Sequence, residues 1–291
     1  MRSIWNRYFI VALCGYFFLF MSISLFFLFP LFLKQFNPSK SQIGLIMGIH
    51  SLMAIFVRPF FGRLLDVKGR KRISLFGIAL MIVILPCFHL IKDAGWLPLI
   101  LRAMTGIGWG ISMTATLTIC SDLAPVEKLA HSIGIIGVSG LLASAFGPLL
   151  GEEIVNRFGF GALFNSSLAF LLGSFLCILS TKEVERADNA LQLPRAKSGF
   201  PVSVLTFLFI AILPIVHGAV RGAIVYFIAI FAKSIPIERV GPFFLFFSAA
   251  AILTRLGIGD LSDRYGRKQV ILPAAAIIIF NLFLISQIGT L

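Results

Sequence analysis

Few side chains in this sequence stand where they could handle charge away from water. Arg102 lies about two turns inside an apolar run over 96–120. An arginine in a hydrocarbon setting costs at least about 2.5–3.5 kcal/mol to insert. It is therefore either a functional cation, able to hold an anion or influence a proton, or a structural tie whose guanidinium snorkels outward. His217 and Arg221 sit four apart, just after Pro214 in another apolar run. That spacing puts them on one helix face, as a pair for binding an anionic group or relaying a proton, or with His217 satisfied by a backbone carbonyl; the residues leave both readings open. No carboxylate lies deep within an apolar run; Asp66, Asp122, Glu152, Glu153 and Asp263 sit at the ends of such runs. Asp122 is better placed to tie Arg70 or a neighbouring base than to carry protons. Glu152 and Glu153 read as solvated interfacial groups, with proton carriage as the alternative. His50 and His89 have no partner in sequence and read as packing or interfacial residues. Cys14, Cys87, Cys120 and Cys177 fall inside apolar runs without metal-ligand spacing and serve as small hydrophobes. Gly106-Ile-Gly108 lacks the strand–turn–helix setting of a dinucleotide site. The residues point to no enzyme chemistry, no cofactor and no metal.

The elements that must position these groups are long apolar helices. The chain has 291 residues, 58% of them hydrophobic and 13% charged, with a mean hydropathy of +0.99; a soluble domain carries about a quarter charged residues. Runs of roughly 20 apolar residues, the length that spans a bilayer core, recur over 8–33, 41–61, 73–91, 96–120, 129–151, 161–180, 201–231, 239–258 and 269–289. In lipid each must satisfy its own backbone, which makes them nine helices and the chain an all-α polytopic membrane protein. The first run is too long for a signal-peptide core. A net charge of +13 invites a nucleic-acid reading, but the basic residues fall in loops without aromatic interleaving. With the N-terminus cytoplasmic, fifteen Lys and Arg lie on the inner side and six on the outer, which sets that orientation in the cytoplasmic (plasma) membrane. The polar stretch near Pro194 reads as a linker, giving a six-helix bundle over 1–180, a cytoplasmic linker over 181–200 and three further helices over 201–291.

One loop is repeated. Arg58-Pro-Phe-Phe-Gly62-Arg-Leu64-Leu-Asp66-Val-Lys-Gly69-Arg70-Lys71 returns 197 residues later as Arg255-Leu-Gly-Ile-Gly259-Asp-Leu261-Ser-Asp263-Arg-Tyr-Gly266-Arg267-Lys268, with seven identical positions at constant offset. Two independent positive loops would share Lys and Arg but not a Gly–Asp–Gly–Arg framework. Gly62 and Gly259 suit close helix approach, Asp66 and Asp263 can cap a helix start, Gly69 and Gly266 turn the chain, and Arg70 and Arg267 offer fork donors.

The spacing G-x-x-x-D-x-x-G-R-[KR], between spans 2 and 3 and again between 8 and 9, resembles the signature loop of the major facilitator superfamily. The resemblance covers the whole chain. It implies two six-helix bundles with substrate held between them near the midplane, and a loop that latches the cytoplasmic side. Arg102-Ala-Met-Thr-Gly106-Ile-Gly108 resembles the family's R-x-x-x-G-x-G segment, whose arginine is associated with proton coupling. Gly134, Gly147, Pro148 and Gly151 resemble the glycine-rich packing segment of antiporters and efflux pumps, with Ala143 and Glu152 departing from the usual glycines; ordinary small-residue packing would look similar. The resemblance thus implies a monomeric transporter exporting a small-molecule substrate in exchange for protons. A phenylalanine-rich face (Phe17, Phe18, Phe20, Phe26, Phe27) would suit an apolar solute, although lipid-facing phenylalanine is the commoner cause.

A family member carries twelve helices and this sequence ends at Leu291, at the close of span 9. The expectation is a chain truncated within its second bundle. Besides export, two readings stand: an uptake permease of the same fold, or a membrane polypeptide that inserts and transports nothing.

Overall fold

A computed structural model describes residues 5–183, 204–232, 239–257 and 267–288. Those residues form helices and short turns. The helices are α1 (Arg7–Leu25), α2 (Phe29–Lys34), α3 (Lys40–Lys68), α4 (Arg70–Ile84), α5 (Trp96–Asp122), α6 (Leu129–Leu179), α7 (Val204–Ala232), α8 (Gly241–Gly257) and α9 (Arg267–Ile288). A 3₁₀ turn over Phe26–Leu28 joins α1 to α2, so that Arg7–Lys34 runs as one apolar span. Among the described residues, five stretches are long and apolar enough to cross a bilayer: Arg7–Lys34, Lys40–Lys68, Arg70–Leu90, Leu129–Leu179 and Pro214–Ala232.

The starts and stops follow local chemistry. Asn6 caps α1 by accepting from the Phe9 amide, and Ser39 with Gln42 forms a reciprocal capping box at α3. The helix expected to end near residue 61 continues to Lys68, because nothing breaks it until Gly69. That residue has φ +89°, a conformation that side chains with a Cβ resist. In α6, Gly159 at φ +79° turns the chain back, so its 51 residues are two antiparallel arms, matching the expected spans 129–151 and 161–180. The expected linker enters the description only at 181–183; residues 184–203 lie outside it.

Residues 5–245 pack as one unit, and 246–291 belong to a second. Lipid tails are as apolar as leucine, so helices associate through small residues and hydroxyl contacts rather than through hydrophobic burial. In the first unit, α1 lies on the second arm of α6 through Ser22 Oγ···Ser167 Oγ at 2.7 Å and Ser174 Oγ donating to the Gly15 carbonyl at 2.8 Å. Helices α4 and α5 meet through Ser74 Oγ···Thr116 Oγ1 at 2.7 Å. Helix α5 packs on α3 where Gly106 and Gly110 face the backbones of His50 and Ala54. Exposed apolar side chains such as Leu45, Phe60, Val83 and Leu176 form the lipid-facing surface. In the second unit α9 presents Ile279, Phe280 and Phe283 outward, and Asn281 turns its amide back to the Ile277 carbonyl.

Candidate functional site

Three polar sites punctuate the first unit. At one end Gly69 separates α3 from α4, which places Arg70 at the first position of α4. Its guanidinium pairs with Asp122, the last residue of α5, and lies 3.8 Å from Asp66 one turn back. Lys71 Nζ donates to the Thr181 carbonyl at 2.7 Å. A cavity of about 340 Å³ opens there between Asp66, Arg70, Lys71, Asp122, Lys182 and Glu183. Glu183 lies against Gly69 so closely that a Cβ would collide with its carboxylate. This end thus links α3, α4, α5 and the segment after α6 by charge.

The second site is inside. Arg102 is 2% exposed, so its guanidinium does not snorkel to a surface. Its Cζ lies 5.5 Å and 5.7 Å from the ring centres of Phe26 and Phe29, and among the described residues its Nε has no hydrogen-bond partner. Desolvated cation–π contacts are worth about 2 kcal/mol. Two rings therefore roughly offset the cost of about 2.5–3.5 kcal/mol of placing the charge at depth. The rings belong to a cluster with Phe88 and Phe164, which gives Phe26 a definite role that the lipid-facing reading lacked. His50, buried on α3, approaches the Thr105 hydroxyl at 3.4 Å, and Thr105 donates to the Arg102 carbonyl at 3.0 Å. Next to His50, Ser51 bonds the Tyr226 hydroxyl at 2.7 Å, joining α3 to α7. In sequence His50 reads as a packing or interfacial residue and nothing distinguishes Tyr226. The signals were thin: a histidine and a tyrosine in apolar runs 176 positions apart. His217 and Arg221 are exposed on α7, and it is Tyr226, further along that helix, that reaches α3.

At the far end of α6's first arm Glu152 accepts from the backbone amides of Val240 and Gly241, both at 2.9 Å. Glu153 pairs with Arg157 on its own helix. Gly147 packs against Ser24, and Gly151 against Leu25, Leu28 and Leu163. Pro148 is buried within the helix between them. Gly134 has open space, as does Gly62, so neither serves the close approach expected of it among the described residues. Gly259, Asp263 and Gly266 lie outside the described residues, as do the side chains of Arg267 and Lys268 where α9 begins.

A model of the Major Facilitator Superfamily matches residues 11–291. The chain belongs to the major facilitator superfamily. It is a multi-pass membrane protein of a transporter family rather than an enzyme. The chain is 26% identical to the uncharacterized MFS-type transporter YuxJ of Bacillus subtilis (strain 168), over 79% of this chain and 60% of that protein. It is 27% identical to the multidrug resistance protein MdtG of Citrobacter koseri, over 98% of this chain and 74% of that protein. With MdtG of Enterobacter lignolyticus it shares 26% identity over 85% of this chain and 61% of that protein. The chain therefore spans roughly 60–74% of the length of these relatives. In this superfamily member, the Arg70 site is the repeated loop's first copy.

Proposed function

We propose that the chain works as a secondary transporter of efflux type, exchanging a small organic solute for protons by alternating access in the bacterial cytoplasmic membrane, with its N-terminus inside. Residues 1–180 form the first bundle in this reading, 181–200 the linker and 201–291 part of the second, acting as a monomer. The observation that carries it is Arg102: a guanidinium 2% exposed, with Nε unpartnered. A charge kept at that depth is expensive, and among the described residues the neighbouring helices supply aromatic faces, a histidine and hydroxyls rather than a carboxylate. An unneutralised cation there is suited to bias the protonation of a neighbouring group or to hold an anionic group in transit. The Ser51–Tyr226 bond supports placing the transport path beside it, since it joins the proposed first bundle to α7. The names of the MdtG relatives support export of xenobiotic-like solutes. Arg70, Asp66 and Asp122 take the role of a cytoplasmic latch.

The test is proton flux. In vesicles holding the purified chain and an imposed pH gradient, addition of a transported organic solute collapses the gradient. Arg102→Ala should abolish that solute-driven collapse while solute binding falls much less. Unchanged collapse by Arg102→Ala would remove Arg102 from coupling. A panel of organic cations, anions and neutral solutes that never moves protons would reject the exchanger reading.

A further inference from the structure

The bond between Glu152 and the start of α8 joins the α6 arm to a helix nearly 90 positions away. From Leu129 to Glu152 a helix rises roughly 35 Å, so this contact lies at the end of the unit opposite the Arg70 site. Both carboxylate oxygens are engaged, one by the Val240 amide and one by the Gly241 amide. These are donors that a helix start leaves without intrahelical partners, and Pro242 at the next position brings no N–H of its own. An anion at that point also meets the positive end of the helix dipole. The two helices approach closely. A Cβ at Gly241 would stand 2.6 Å from Leu149 Cδ2 and 3.1 Å from Leu149 Cα, so only glycine fits without displacement. Beside the bond lies an apolar layer in which Phe27 meets Phe244 with ring centres 4.0 Å apart, together with buried Ala229, Ala232 and Val240. A carboxylate capping a remote helix start and an apolar layer behind it together tie α6 to the start of α8.

We propose that Glu152 is a gating residue: its carboxylate holds the start of α8 against α6 and keeps the end of the first unit opposite the Arg70 loop closed, and breaking this contact opens that end. The gating role rests on the alternating-access reading, because only a protein that opens at both ends needs a closure that can be released. Holding is stereochemically demanding. A glutamine keeps one acceptor but turns an NH₂ toward the second amide, and an alanine supplies none.

Amide exchange and thiol labelling of the purified chain in lipid nanodiscs test this without any transport measurement. Amides 240 and 241 should exchange slowly in the parent chain and about tenfold or more faster in Glu152→Ala, the factor expected for losing a charge-assisted hydrogen bond. Glu152→Gln should fall between and serves as the test variant where alanine prevents insertion. In a background carrying Ala229→Cys, a water-soluble maleimide should label position 229 faster by a similar factor in either Glu152 variant, read by mass spectrometry apart from the native cysteines. Faster exchange without faster labelling would reduce Glu152 to a local helix cap and overturn the gate; no change in exchange would remove even the cap. A chain that shows both changes but moves no solute would keep the closure and lose the transporter reading.

Discussion

The two ends of the first unit are fastened by different chemistry. At the Arg70 end side chain meets side chain: a guanidinium at the start of α4 pairs with Asp122 and neighbours Asp66, and both ends of the Arg70–Asp122 pair are only about a fifth to a quarter exposed. At the Glu152 end a carboxylate meets backbone amides, and the neighbouring ion pair, Glu153 with Arg157, lies on a single helix with 45% and 68% of its side chains exposed. An ion pair between two side chains depends on two rotamers and is weakened by salt where exposed. A carboxylate on a helix start depends on one rotamer and on where the backbone of the partner helix has been carried. The first arrangement tolerates small shifts of the helices. The second reports helix position directly, which is what a closure that must open and shut requires.

The largest effect that would sharpen this contrast is at Gly69. Gly69→Ala must adopt φ +89°, at about 1–2 kcal/mol, and must also displace the Glu183 carboxylate. We expect a loss of several degrees in thermal unfolding in detergent, with the Glu152 end unaffected in amide exchange. An unchanged melting temperature would show that the turn carries no strain and that the Arg70 end is not set by it.

Next in size is the ion pair. Arg70→Ala leaves Asp122, about a quarter exposed, without its cation. A double-mutant cycle with Asp122→Asn should return a coupling of about 0.5–3 kcal/mol, and Arg70→Ala or Asp66→Asn alone should cut transport severely while insertion stays normal. Near-parental transport by both would reject the latch role at this end.

The smallest effect is expected at Glu153 and Arg157. Glu153→Gln should cost no more than about 0.2–1 kcal/mol, lost further as ionic strength rises. A larger, salt-resistant cost would mean that this pair, too, belongs to the closure, and the contrast between the ends would fail.

Much of the fold was legible before any packing was known. Span lengths, the turn at Gly69 and the arginine inside α5 all follow from local rules: a bilayer needs about 20 apolar residues, a positive φ needs glycine, and a charge among apolar residues is conspicuous. The candidate site was legible only in part. Arg102 is visible by type, whereas in sequence Phe26 and His50 read as lipid-facing or packing residues, Phe29 carries no distinguishing pattern, and Tyr226 gives a weaker signal than His217 and Arg221 on the same helix. Glu152 was visible as a departure from a glycine pattern, but its partners, two backbone amides, have no side-chain identity to read.

Sequence alone therefore determined which segments are long apolar helices, where the repeated loop falls and which charges lie within or at the ends of apolar runs, because each depends on residue type and spacing along the chain. Tertiary structure alone decided that His50 stands by Thr105, that Ser51 meets Tyr226, that two phenylalanines cover Arg102, and that Glu152 caps a helix almost 90 residues on. The reason is the solvent. In water a polar face tells a helix which way to turn. In lipid both faces are apolar, so each helix's rotation about its axis is settled by close packing and hydrogen bonds with its neighbours.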